Sequence, residues 1–241
     1  NIIEPKFDII DLPSEGIFYQ NKCKKVKVYH LTLADEEIMM APNLLNSGEM
    51  LDKLLERKVT AADENTPFIH PSKMLIGDRL ALFVFLRVTM DNLYKITVDG
   101  VPYDFDLTTL KVKEFTAKPN DKGEFDFVLP KANVRITFRL MTGEDEKEIR
   151  LHQIKTNNYL PVNKVLRLEK LITSVDGDTD KMNISLFVKQ MNIVDANKLL
   201  KYMDQVTPSI NLNIEIISPA NGRVVKQMLE LTGEFFFPSM N

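Results

Sequence analysis

The feature that most constrains the fold is an Asp99-Gly100 pair between two alternating segments. Residues 94–98 and 101–105 both alternate apolar and polar side chains. An Asp-Gly pair in that setting is a strong short-range signal for a β-hairpin. Antiparallel pairing is therefore expected in the middle of the chain, which argues against a parallel α/β sheet.

Segments of helical periodicity lie on both sides of this hairpin. Thr32 is expected to cap a short helix that ends near Pro42, with Asp35 at the capping-box position. The stretch 77–90 is apolar nearly all round, which indicates a buried helix, with a buried strand as the alternative. Further helices are predicted over residues 47–58, 142–154, 165–172, 182–191 and 195–206.

Further strands are predicted where the period changes to two residues. They cover residues 26–31, 124–129, 133–140, 210–216 and 224–231. The class is α+β, in the order helices, hairpins, helices, hairpin. We expect one domain over residues 1–241, with two lobes of about 1–141 and 142–241 as the alternative. Residue identity between these halves is too low to establish an internal duplication.

The charge balance limits the partners of the chain. The 31 basic and 34 acidic residues give a net charge of -3, so neither nucleic acid nor an anionic membrane is expected as a partner. The apolar run 80–86 is far shorter than the roughly 18 residues that a transmembrane helix needs. Cys23 is the single cysteine, which fits a reducing cytoplasm. The first residue is Asn1, and we expect the sequence to be trimmed from a longer one.

Sequence motifs for catalysis are not found. The chain lacks Gly-x-Ser-x-Gly, His-Glu-x-x-His and closely spaced phosphate-binding glycines, so we predict a non-enzymatic protein without a cofactor. Acidic residues alternate over 176–180 as in an EF-hand loop. Lys181 and Phe187 occupy the positions where that loop needs glycine and glutamate, so no metal is expected. A metal-dependent enzyme using these carboxylates is kept as a remote alternative.

Two clusters have both a structural and a binding interpretation. The first contains Lys22, Lys24, Lys25 and Lys27, which could contact an acidic partner or phosphates. The favoured interpretation is a solvated strand edge that lysines protect from aggregation. The second is Phe235–Phe237, which is either a core plug or an anchor for a partner.

Five landmarks occur in a characteristic order. They are Leu12-Pro13-Ser14-x-Gly16 with Tyr19, residues 31–38 (LTLADEEI), residues 44–48 (LLNSG), Gly77-Asp78-Arg79, and Phe236-Phe237-Pro238. In this combination the chain resembles the base plate protein family of T-even-like bacteriophages. The resemblance spans nearly the whole chain.

This resemblance implies a structural or assembly role in the hub region of a contractile tail baseplate. The chain would be assembled in the host cytoplasm and bind other tail proteins in a homo- or hetero-oligomer. The expected partner-binding residues are Leu12, Pro13, Tyr19, Phe235, Phe236, Phe237 and Pro238. A transient assembly chaperone that is absent from the virion is the alternative.

One departure from the family concerns zinc. Many members carry Cys-Pro-x-Cys-Gly turns that would bind the metal, whereas the corresponding turn here is Ser218-Pro219-Ala220-Asn221-Gly222. Serine and asparagine stand where thiolates would be required. A zinc site is therefore not expected.

Overall fold

The structure is a computed structural model, and it describes residues 4–115, 117–156, 163–231 and 235–236. The chain divides into two compact units. Unit 1 comprises residues 1–71, 77–113 and 208–241, and unit 2 comprises residues 72–76 and 114–207. These boundaries differ from the two-lobe division near residue 141, because the chain leaves unit 1 near residue 113 and returns to it at Pro208.

The described residues form strands and helices in mixed order, which confirms the α+β class. The strands are β1 (Phe7–Asp11), β2 (Lys25–Tyr29), β3 (Val59–Ala61), β4 (Leu93–Val98), β5 (Val101–Asp106), β6 (Phe125–Val128), β7 (Arg135–Phe138), β8 (Ile172–Val175), β9 (Asn213–Ile217) and β10 (Val224–Met228). The helices are α1 (Leu33–Met39), α2 (Pro42–Ser47), α3 (Met50–Lys58), α4 (Ile76–Val88), α5 (Gly143–Thr156), α6 (Lys164–Leu171), α7 (Lys181–Gln190) and α8 (Ile193–Val206).

Unit 1 contains an antiparallel sheet in the order β1-β2-β3 and two separate hairpins, β4-β5 and β9-β10. The predicted Asp99-Gly100 hairpin is confirmed. Both turn residues have positive φ, 49° and 80°, which matches the right-handed twist of the flanking strands. The helix over 77–90 is also confirmed as α4, in which Leu82 and Leu86 are fully buried.

Unit 2 contains an antiparallel sheet in the order β6-β7-β8, together with α5 to α8. The predicted hairpin around residue 130 is confirmed as β6-β7. It belongs to a different sheet from β4-β5. The inward residues Ile136 and Phe138 are fully buried, as Val26 and Val28 are in unit 1.

Both units use the same succession of elements. It is a strand, a Leu-Pro turn, a strand, a helix begun by Thr-x-x-Asp, a second helix, a third strand and a last helix. Unit 1 follows it as β1-β2-α1-α3-β3-α4, with α2 as an addition, and unit 2 follows it as β6-β7-α5-α6-β8-α8, with α7 as an addition. We call this succession the repeated module.

Equivalent hydrogen bonds hold the two copies of the repeated module. The N–H of Leu12 donates to the Lys24 carbonyl at 2.8 Å, and the N–H of Leu129 donates to the Val134 carbonyl at 2.9 Å. The Thr32 hydroxyl donates to Asp35 at 2.9 Å, and the Thr142 hydroxyl donates to Asp145 at 2.9 Å. These bonds satisfy polar groups at the start of α1 and of α5.

A buried aspartate in the first turn of the last helix completes each copy. Asp78 in α4 accepts the N–H of Ser14 at 2.9 Å. Asp195 in α8 accepts the N–H groups of Lys131 and Ala132 at 2.9 and 3.0 Å. Both carboxylates are fully buried. Each carboxylate therefore links the Leu-Pro turn of its copy to a helix that is distant in sequence.

Candidate partner-binding surface

The predicted partner-binding residues Leu12, Pro13 and Tyr19 are in the interior of unit 1. Leu12 and Tyr19 are only 2% and 4% exposed. The Tyr19 hydroxyl donates to Asp78, and the Ser14 hydroxyl donates to the same carboxylate at 2.6 Å. The expectation that these side chains are exposed anchors is therefore corrected, because they pack inward and hold the turn.

Burial also determines the electrostatics of Asp78. Removal from water raises the pKa of Asp78, and the hydrogen bonds from Ser14 and Tyr19 work in the opposite direction without cancelling the rise. Its neighbour Gly77 has no room for a side chain, because a Cβ there would lie 1.8 Å from the Pro208 carbonyl oxygen. The first and fourth landmarks are thus directly bonded, and both are structural.

The terminal aromatic residues behave as a core plug where the structure describes them. Phe235 and Phe236 are buried, and both rings contact Phe83 at centroid distances of 5.2 and 4.7 Å. The Nε of Arg87 donates to the Phe235 carbonyl at 2.7 Å. Phe236 therefore does not act as an exposed anchor. Phe237 and Pro238 lie outside the described residues.

An exposed apolar and cationic surface instead lies on the solvent side of the β1-β2-β3 sheet. We call it the β1 face, and it consists of Phe7, Ile9, Lys25, Lys27 and Thr60. Phe7 and Ile9 are 48% and 43% exposed. The Lys27 Nζ lies 4.7 Å from the centroid of the Phe7 ring, which is a cation–π contact.

The edge of β1 is open to pairing within the described part of the chain. The N–H of His30 donates to the Lys6 carbonyl, and the N–H of Leu12 donates to the Lys24 carbonyl. In an antiparallel pair such bonding residues alternate with residues that point the other way. The backbone groups of Phe7, Ile9 and Asp11 are therefore directed away from β2, toward the free edge of the sheet.

The lysine cluster requires a second correction. The sequence favoured lysines that protect a strand edge, but Lys25 and Lys27 lie on β2, the central strand of its sheet. The edge strand β1 carries Phe7 and Ile9 on its exposed side instead. These two residues were missed because Ile10 interrupts the alternation of Phe7, Ile9 and Asp11.

The corresponding face of the β6-β7-β8 sheet is mostly polar, although Val128 on β6 is 51% exposed there. The Thr137 hydroxyl donates to Asp126 at 2.7 Å, and the N–H of Arg135 donates to Asp176 at 2.8 Å. An open cavity of about 740 Å³ lies over this face. Its acidic lining residues are Asp121, Glu124, Asp126 and Asp176. Lys122 and Arg135 also line it, so charges of both signs meet there.

The remaining candidates for chemistry have structural partners. Cys23 is fully buried, and burial raises the pKa of its thiol. Asp180 caps α7 through the N–H groups of Met182 and Asn183, while Asp178 accepts the N–H of Asp180 at 2.9 Å. Among the described residues, His, Cys, Asp and Glu form no group of three that could hold a metal ion. None of the helices described is long and apolar enough to cross a bilayer.

Comparison with known proteins gives no match. No protein-family model, curated protein or solved structure is similar to this chain. The resemblance to the base plate family therefore rests on the order of the landmark residues in the sequence.

Proposed function

We propose that the chain is a non-enzymatic component of a contractile bacteriophage tail, acting in the hub region of the baseplate through protein–protein contacts. The main support for a binding role is the β1 face. Its apolar side chains are exposed beside lysines, and β1 is an edge strand of its sheet. Such an edge offers backbone hydrogen bonds to another chain and would otherwise favour aggregation.

The order of the landmarks supplies the baseplate part of the proposal. Residues that are distant in sequence support one another in unit 1, as Ser14 and Tyr19 do through Asp78. Arg79 donates to the Pro71 carbonyl at 2.9 Å and pairs with Asp52. The landmarks are therefore parts of one folded unit, which supports treating them as one sequence pattern.

The partners are other tail proteins, and the chain works in the virion baseplate after assembly in the host cytoplasm. Quantitative mass spectrometry of purified phage particles and of infected-cell lysate tests this. Stoichiometric peptides in the particles are expected for a baseplate subunit. Their presence in lysate alone would favour the transient assembly chaperone, and a chain found in neither fraction of an infected cell would contradict both roles.

Substitution of the terminal aromatic residues is a poor test of this function. Replacing Phe236 by alanine would remove a ring from the core beside Phe83, so lost assembly would report damaged folding. Substitutions on the β1 face avoid this problem because Phe7 and Ile9 are about half exposed. We expect the double variant Phe7→Glu, Ile9→Asp to fold and yet fail to enter particles.

A further inference from the structure

We propose that the β1 face binds an extended segment of a partner protein that alternates apolar and acidic residues and pairs as an added strand with β1. This inference rests on the proposed function, since it names the chemistry of the partner that the β1 face would bind.

The first argument is the open backbone. The N–H and C=O groups of Phe7, Ile9 and Asp11 point toward the free edge, and β1 offers them over five residues. An extended segment laid along this edge would satisfy them with ladder hydrogen bonds. The side chains of the same three residues lie on the β1 face side of the sheet. One incoming strand would therefore engage backbone and side chains together.

The second argument is that the fold does not need apolar residues at these positions. When residues are counted back from Leu12 and from Leu129, Ile9 corresponds to Asp126 and Phe7 corresponds to Glu124. Both members of the pair Ile9 and Asp126 are exposed. The repeated module thus accepts acidic residues on its edge strand. Apolar side chains at the positions of Phe7 and Ile9 are therefore not required by the repeated module.

The third argument concerns charge and selects acidic residues in the partner. Lys25 and Lys27 lie on the β1 face, and Lys22 and Lys24 are exposed residues close to them in the sequence. Asp8 is bonded to His30 at 2.6 Å, and Asp11 lies opposite Lys25 on the same side of the sheet. On the β1 face itself Lys25 and Lys27 thus outnumber Asp11, although the chain as a whole has a net charge of -3. An approaching strand with carboxylates would be attracted, and one with lysines repelled.

Peptide binding to the full chain tests the proposal directly. The probes are fluorescent nine-residue peptides that alternate valine with glutamate, valine with lysine, or valine with serine, and anisotropy gives each Kd. We expect the glutamate peptide to bind at least about tenfold more tightly than the lysine peptide, with the serine peptide between them. Its affinity should fall with added salt, because these charges are exposed.

Matched variants locate the site. Phe7→Glu with Ile9→Asp places the residues of the second copy on β1 and should abolish binding. Ile217→Asp with Val224→Glu is the control, since it removes an apolar cross-strand pair that is 67% and 62% exposed on another hairpin. That control should bind the peptide normally. Lys25→Glu with Lys27→Glu should reverse the preference, so that the lysine peptide binds more tightly than the glutamate peptide.

Residue-level hydrogen exchange identifies the mode of binding in the unmodified protein. Added-strand pairing should slow exchange of the amides of Phe7, Ile9 and Asp11 when the glutamate peptide is bound. The amides of Asp8 and Ile10, which face β2, should change little.

Three peptide-binding results would overturn the proposal. They are equal affinity for the glutamate and lysine peptides, no detectable binding of any peptide, and binding that survives the Phe7→Glu, Ile9→Asp change. Self-association of the free protein that this double variant abolishes would make a second copy the occupant and would also overturn it. None of these results depends on phage particles, so failure here is distinct from failure of the baseplate role.

Discussion

The sheet β1-β2-β3 and the sheet β6-β7-β8 have the same strand order and the same Leu-Pro turn, yet their solvent faces differ in chemistry. Phe7 and Ile9 are exposed on the first, whereas Glu124 and Asp126 occupy the corresponding places on the second. The inward faces are alike, with Val26 and Val28 matching Ile136 and Phe138. The interior contacts are thus alike in both copies, whereas the outer faces differ.

This difference distinguishes the residues that stabilise the repeated module from the residues that are exposed on its surface. The buried aspartates and the Thr-x-x-Asp starts recur because each satisfies backbone or hydroxyl groups that would otherwise be left unpaired inside the protein. The residues on the outer faces need no such partner, so they are free to adapt to a ligand or to solvent. Stability therefore comes from the shared interior, and the proposed binding site lies on the surface that the two copies do not share.

The largest effect is expected from the buried aspartates. Asp78→Ala would leave the Ser14 N–H, the Ser14 hydroxyl and the Tyr19 hydroxyl without their acceptor and should lower the free energy of unfolding by about 4 kcal/mol. Asp195→Ala affects two backbone amides and should cost about 2 kcal/mol. Urea unfolding of both variants measures this, with the exposed Asp121→Ala as control. A negligible loss in either variant would contradict the shared role.

The residue before each aspartate provides the next test. Gly77→Ala would place a methyl group against the Pro208 carbonyl and should destabilise the protein by about 3 kcal/mol. Val194 holds the corresponding place in the second copy and is 44% exposed. Val194→Ala should therefore change the urea midpoint little. Equal effects of the two substitutions would show that these positions are not packed as described.

The pH dependence of unfolding should separate Asp78 from Asp145. The pKa of Asp78 is raised by burial, so the folded state favours its protonated form. As pH rises above about 4, the ordinary value for an aspartate, the protein should lose stability relative to Asp78→Asn until the folded-state pKa is passed.

Asp145 should behave in the opposite way. Burial acts to raise the pKa of Asp145, but hydrogen bonds from Arg139 and Thr142 outweigh it and lower that pKa. Its stabilising contribution is then complete above about pH 4 and is lost as pH falls through the folded-state pKa. Asp145→Asn should flatten the acid limb of a stability–pH profile measured by urea unfolding. An unchanged acid limb would contradict this assignment.

The smallest effect is expected outside the repeated module. Glu215 and Lys226 form a cross-strand pair on the hairpin β9-β10 at 2.6 Å, and both side chains are mostly exposed. Solvent screens such a pair, so Lys226→Ala should leave the urea midpoint unchanged within error. A clear loss of stability would mean that this ion pair contributes more to the free energy of unfolding than an exposed pair is expected to contribute.

Local signals in the sequence predicted much of this fold. The Asp99-Gly100 pair and the Thr32–Asp35 capping box act within a few residues, so their patterns were visible without the structure. Two predicted helix boundaries were wrong, and both errors lie at residues near helix ends. Pro42 begins α2 instead of only ending α1, because proline is also favoured in the first turn of a helix. Gly48 then ends α2 with positive φ, so α3 begins at Met50.

Long-range relations were not accessible in the same way. Asp78 and Asp195 each bind a turn more than sixty residues away, and no periodicity in the sequence records such a pairing. The strands β1, β3 and β8 are short or lack clean alternation, so they were missed. The partner-binding residues were chosen for apolar character, which does not distinguish the interior from an interface.

The route of the chain affects how the protein is made. Residues 114–207 of unit 2 leave the ribosome before the last segment of unit 1, which begins at Pro208. Phe235 accepts a hydrogen bond from Arg87, 148 residues earlier, so unit 1 cannot complete its core until Phe235 has been synthesised. During translation the parts of unit 1 before residue 114 remain incomplete, with part of their apolar surface exposed, while unit 2 is able to fold. Premature termination after Thr207 would therefore leave an incomplete unit 1, a species suited to recognition by chaperones or proteases.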